Sequence, residues 1–131
     1  MSEPLYPPHE PSKYLELAKE LSSKSETAAK RTAVDKAYYA AFLTCRDRLA
    51  AKGYITPHYS IEDHKYVATA LKHIDTLASF GNEESRLRRI RNKVTYDTRE
   101  LRVRQGVRPI DWIISIAEEI IRQVEALPDR H

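Results

Sequence analysis

The stretch from Glu26 to Lys52 contains neither Gly nor Pro. Within it Val34, Ala37, Tyr38, Ala41, Phe42, Cys45 and Leu49 recur at three- and four-residue steps, the spacing of a helix that buries one side. An uninterrupted helix of this length needs partners to cover that side, and Ala40 and Ala41 are small enough to let one approach closely. The whole chain has only 3 Gly in 131 residues, too few for the tight turns of an all-β fold. That length suits one hydrophobic core. The expectation is an all-α fold: an up-and-down bundle of four or five helices in a single domain over residues 12–128. Residues 1–11 hold four of the seven prolines and read as an extended arm.

The other helices follow from the same spacing. Ser12 can cap a first helix carrying Leu15, Leu17, Ala18 and Leu21. Gly53 is a stop signal for the long helix. Ser60 can cap a third helix with Asp63 as its reciprocal partner, with Ile61, Val67, Leu71, Ile74 and Leu77 on its buried side and Gly81 ending it. Asn82 then caps a fourth helix, which puts Glu83 and Glu84 near the positive end of its dipole. Residues 98–108 form a polar connection in which Leu101 and Val103 alternate with Arg102 and Arg104, as in a short strand. Pro109 opens a last helix whose Ile110, Ile113, Ile114, Ala117, Ile120, Ile121, Val124 and Leu127 give the strongest amphipathic pattern of all, and Pro128 closes it.

Several function classes fall away. No run of eighteen apolar residues exists to span a membrane, and the first residues lack the basic start and apolar core of a secretory signal. The single Cys45 cannot form an internal disulfide, so a reducing, cytoplasmic setting is expected; on the apolar side of its helix it reads as a buried, inert thiol. His9, His58, His64, His73 and His131 show no i,i+4 pair and no HExxH, so no metal is expected. His64 and His73 read as helix-surface or helix-edge residues. Gly53, Gly81 and Gly106 are isolated, which excludes a phosphate loop or dinucleotide fingerprint. No cofactor is implied.

Charge is where function shows. The net charge is only +3, but residues 86–108 carry eight Arg and one Lys against Asp97 and Glu100, a local +7 that leaves −4 for the remainder. A basic stripe on a mildly acidic body suits an anionic partner, most often nucleic acid; a solvated helix face is the alternative. Leu87, Ile90 and Val94 make a narrow apolar seam, with Arg86, Arg88, Arg89, Arg91 and Lys93 between them. Arg91 lies at the seam's edge beside Asn92, well placed to hold a phosphate bidentately, with Arg88, Asn92 and Thr95 round the same side. Tyr96 is five residues on, about 140° round the axis, so it is not expected to touch Arg91 within one subunit. Two copies facing each other would bring such groups together. Of the adjacent Tyr38 and Tyr39, one ring can enter the core while the other lines a cleft or interface.

Ala37-Tyr38-Tyr39-Ala40-Ala41-Phe42, then Asp63-His64-Lys65, then Arg91-Asn92-Lys93-Val94-Thr95-Tyr96-Asp97, in that order and at that separation, resemble a HEPN domain over about residues 12–127. The resemblance implies an α-helical bundle that dimerises. Its active members are metal-independent RNases of toxin–antitoxin, CRISPR and other defence systems, some with a small nucleotidyltransferase as partner. Their catalytic signature is an Arg, a polar residue, then a His. Arg91 and Asn92 match; with four residues intervening, the His position is Tyr96. Tyrosine, with a pKa near about 10, is a poor base at pH 7, whereas imidazole at about 6.5 serves as base or acid. Tyr96 can still donate a hydrogen bond or stack on a base, and Arg91 can still stabilise a phosphorane. The resemblance thus implies Arg91, Asn92 and Tyr96 as catalytic-site residues, with Arg88, Arg89, Lys93 and Tyr39 binding RNA. Two readings follow: an endoribonuclease toxin acting at a dimer cleft around Arg91, or an inactive HEPN module that binds RNA, a nucleotide or a nucleotidyltransferase-type antitoxin. A third is a plain helical interaction protein.

Overall fold

The computed structural model describes residues 3–130; Met1, Ser2 and His131, and with them the first two positions of the expected arm and one of the five histidines, lie outside it. Among the described residues there are five α-helices and no strand: α1 (Ser12–Ser22), α2 (Thr27–Ala51), α3 (Asp63–Lys72), α4 (Ala78–Tyr96) and α5 (Ile110–Glu125). The fold is an all-α bundle, and among the described residues no helix is long and apolar enough to cross a membrane. The arm, from Glu3 to Glu10, is exposed and carries no helix.

The long Gly- and Pro-free helix, α2, is the hub, packed against each of the other four. Its Ala33, Ala37, Ala40 and Ala41 are fully buried. Small side chains on more than one side let several helices approach at once. Cys45 is also fully buried, and burial pushes its thiol well up, which leaves it inert. The amphipathic α5 buries Ile113, Ile114, Ala117, Ile120, Ile121 and Val124 against this hub.

Two cations, one in α2 and one at its C-terminal cap, tie down the ends of its neighbours. The Arg31 guanidinium donates to the carbonyls of Val94 (3.0 Å), Asp97 and Arg99 (2.7 Å). Just past the end of α2, the Lys52 ammonium donates to the carbonyls of Val124 (3.2 Å), Glu125 (2.6 Å) and Leu127. Each satisfies carbonyls that a helix end leaves without a partner, and places positive charge at the negative end of a helix dipole.

Four local expectations need correction. Gly81 does not end α3, which stops at Lys72; it lies inside α4, buried. There it sits so close to α3 that a Cβ would lie 2.9 Å from the Ala68 carbonyl oxygen and from the Lys72 backbone nitrogen. Asn82 therefore caps nothing; α4 starts at Ala78, after a 3₁₀ turn at Asp75–Leu77. Nor does Ser60 make a capping box with Asp63. The buried Asp63 carboxylate instead accepts the backbone N–H groups of His58 (3.0 Å) and Tyr59 (2.8 Å), clamping the loop before α3. Burial alone would raise its pKa; these donors outweigh burial and lower it. Residues 98–108 form no strand: Val103–Gln105 is a 3₁₀ turn, closed by Gly106 at φ +88°.

Candidate nucleic-acid interface

The basic helix α4 does not present its cations as one stripe. Arg91 points toward α2. Its Nε donates to Asp35 Oδ1 at 2.6 Å and its Nη1 to Asn92 Oδ1 at 2.9 Å. Its guanidinium carbon stands 5.0 Å from the centroid of the Tyr39 ring and 5.8 Å from that of Tyr96. The Arg91 side chain is only 17 % exposed. Burial disfavours its charge, but the Asp35 carboxylate more than compensates and raises its pKa. Arg91 is thus a fixed cation held between two aromatic rings, a geometry that suits cation–π attraction.

This overturns the expectation that Arg91 and Tyr96 stay apart within one subunit. The angle of about 140° separates their Cβ atoms, not the ends of two long side chains. Tyr96 is also the last residue of α4, so no further turn blocks its ring. That ring is 73 % exposed.

The other candidate residues divide. Asn92 and Tyr39 join Arg91, Asn92 as a hydrogen-bond acceptor and Tyr39 as half-buried ring. Tyr38 is fully buried, so the adjacent tyrosines diverge, one to the core and one to the cleft. Lys93 turns away to Asp97, 3.6 Å distant. Arg86 faces Glu83 (3.8 Å) and the Trp112 ring, which Arg108 also covers. Arg88 and Arg89 lie on the α3 side. Arg31, Asp35, Arg91 and Thr95 line a cleft of about 410 Å³ between α2 and α4. A larger cavity of about 470 Å³ shares Arg31 and Val94 with it, then runs away from Arg91 to Leu101 and Val107.

Sequence reasoning missed two members of this neighbourhood. Asp35 carried no signal beyond its place one helical turn before Tyr39. His64, expected at a helix edge, is half-buried near the start of α3. Its ring stacks on Phe42 at 4.1 Å and meets the Tyr39 ring edge-on at 5.9 Å. Its Nδ1 shares a hydrogen bond with the Tyr38 hydroxyl. Burial lowers the pKa of His64, and the positive charges of Arg88, Arg91 and Arg46 lower it further against a smaller pull from Asp63. The imidazole is therefore neutral at pH 7. A search confined to residues following an Arg could not find it, because packing, not spacing, delivers it.

Behind His64 lies a buried acid. Glu84 is fully buried, and among the described residues neither of its carboxyl oxygens has a hydrogen-bond partner by distance and angle. The Tyr38 hydroxyl, which shares a hydrogen bond with His64 Nδ1, is among the groups that act on Glu84. Burial raises the Glu84 pKa to about 7, with Tyr38, Arg88 and Lys72 pulling the other way. Comparisons with protein-family models, with curated proteins and with solved structures find no match for this chain.

Proposed function

We propose that this chain is a HEPN-like RNA-binding protein that acts as a homodimer, with RNA lying over the face around Arg91. The observation that supports this most is the Arg91 guanidinium between Tyr39 and the exposed ring of Tyr96. A single-stranded base can stack on Tyr96. The guanidinium N–H groups not used by Asp35 and Asn92 can take the adjacent phosphate. Arg88 and Arg89 add positive potential nearby.

Fluorescence anisotropy with a mixed-sequence, single-stranded RNA tests this reading. Wild type binds, and its affinity falls steeply as salt rises. Arg91→Ala and Tyr96→Ala each weaken binding by about tenfold, the scale of one charged contact or one stacked base. Unchanged affinity in Arg91→Ala refutes the reading.

His64 favours a second reading, a metal-independent endoribonuclease of the HEPN toxin type, in a toxin–antitoxin or defence system. A neutral imidazole on the Arg88 and Arg91 side of the molecule supplies the base that Tyr96 cannot. In this reading His64 takes the ribose 2′-hydroxyl proton, and the 2′-oxygen attacks phosphorus. The P–O5′ bond breaks, the leaving oxygen takes a proton from water, and His64 gives up its proton to solvent to return to the neutral form. Arg91 stabilises the phosphorane, while Asn92 and Tyr96 hold Arg91 and the RNA in place. Cleavage in the presence of EDTA, lost in both Arg91→Ala and His64→Ala, is the expected result. Binding without cleavage reduces the function to an inactive HEPN module. The resemblance also brings a nucleotidyltransferase-type antitoxin as partner, which co-purification with such a protein tests.

A further inference from the structure

A cavity of about 250 Å³ opens between α3 and α4. Lys65 and Lys72 from α3 and Arg88 and Arg89 from α4 line it, with the hydroxyls of Thr69 and Ser85 between them. None of these four cations has an ion-pair partner among the described residues. The close crossing at Gly81, which seats α4 directly against the Lys72 backbone, is what brings the two sets together. The one carboxyl group in the wall is Glu84, whose two buried oxygens are unpartnered.

We propose that this cavity binds the dianionic phosphate of a phosphomonoester. Four unpaired cations converge on a small space, and a doubly charged group gains more from them than the single charge of a phosphodiester does. Three terminal oxygens can also meet more donors at once than two. The volume is below the ~300–1,000 Å³ of a pocket that takes a whole small molecule. It admits the phosphate and leaves the nucleoside outside. Glu84 fits the same picture. With its pKa near 7 it is about half protonated at neutral pH. A bound dianion shifts it further to the neutral acid, which no longer repels the phosphate through the wall. The groups facing Glu84 are Tyr38 and Cys45 from α2, Lys72 from α3 and Arg88 one turn along α4. Of these, only Lys72 and Arg88 carry charge.

The phosphate has two chemically equivalent sources, the 5′-phosphate end of an RNA and a free mononucleotide. The first deepens the RNA-binding reading and rests on it; the second does not. Calorimetric titration with inorganic phosphate, with AMP, and with one RNA sequence bearing either a 5′-phosphate or a 5′-hydroxyl tests both. Phosphate and AMP bind saturably. Lys72→Ala and Arg88→Ala each weaken AMP binding by about tenfold, as expected for one charge-assisted contact. Glu84→Gln, neutral at every pH, binds AMP more tightly than wild type at pH 8 and about equally at pH 5.5. Tighter binding of the 5′-phosphorylated RNA, abolished by Lys72→Ala, assigns the site to an RNA end. Equal binding of the two RNAs with AMP still bound assigns it to a free nucleotide. AMP binding by a protein that binds no RNA upholds the cavity and overturns only the interface around Arg91. No binding of phosphate or AMP, or AMP binding untouched by Lys72→Ala and Arg88→Ala in proteins whose circular dichroism matches wild type, overturns the proposal.

Discussion

Glu84 is the residue that sits least comfortably in its surroundings. A carboxyl group buried without hydrogen bonds resists ionising, so its pKa in the folded chain, about 7, exceeds the 4.5 of the exposed group. The folded state then binds the proton more tightly than the unfolded state. Its contribution to stability is fully present below pH 4.5 and is lost as pH rises through 7. At about 1.4 kcal/mol per pH unit the loss is on the order of 3 kcal/mol. Glu84→Gln removes the titration while keeping the shape. Thermal unfolding should show the variant melting well above wild type at pH 8, with the gap narrowing toward pH 5. Parallel melting curves across that range would mean that Glu84 is solvated or paired. At this scale the sequence was half legible. The divergence of Tyr38 and Tyr39, and the place of Arg91 at the edge of an apolar seam, follow from helical spacing alone. Asp35, His64 and Glu84 do not, because each acquires its role from a residue on another helix. Glu84 even carries a misleading signal, since an acid near an expected helix start reads as a dipole partner rather than a buried group.

At the scale of elements, α2 and α5 were readable because nothing in them competes with helix. The one lacks Gly and Pro altogether, and the other is bracketed by Pro109 and Pro128. The α3–α4 junction was not readable, because glycine has two uses that look alike in a sequence. It can end a helix, or it can let two helices touch. Gly81 does the second. Gly81→Ala separates the two uses. In an exposed helix interior the substitution would stabilise by up to about 1 kcal/mol. Here the new methyl meets α3 backbone atoms at 2.9 Å, which cannot give way without moving the helix. The expected outcome in urea unfolding is a net loss of about 1–3 kcal/mol, the range for overpacking. A stabilised Gly81→Ala protein would mean that α3 and α4 do not cross there. Because Lys72 shares that crossing, the same variant should also weaken AMP binding.

At the scale of the whole molecule, the local +7 of residues 86–108 overstates the charge available to a partner. Arg91 is paired with Asp35, Arg86 with Glu83, Lys93 and Arg99 with Asp97, and Arg102 with Glu100. Among the described residues Arg88, Arg89, Arg104 and Arg108 have no ion-pair partner; Arg104 and Arg108 lie round a separate hollow, so Arg88 and Arg89 are the free charges nearest along α4 to the half-committed Arg91. One face of one chain therefore engages about three phosphates. For single strands the slope of log K against log salt is about −0.7 per phosphate neutralised, which gives about −2 for a single face. Two faces joined in a dimer and reading one strand double the phosphates and give about −4. Light scattering fixes the mass independently, at twice 15.2 kDa for the dimer. The expected result is the dimer mass together with the steeper slope, and a reduction of about 1.4 in that slope for Arg88→Ala, which removes one cation from each of the two faces. A monomer at micromolar concentration with a slope near −2 would end the paired-cleft mechanism and leave RNA binding on a single face. A dimer with the shallow slope would place the contact between subunits away from the face around Arg91. The two measurements together therefore locate the dimer contact relative to Tyr96, whose exposed ring has to lie within the cleft if both copies are to hold the same RNA.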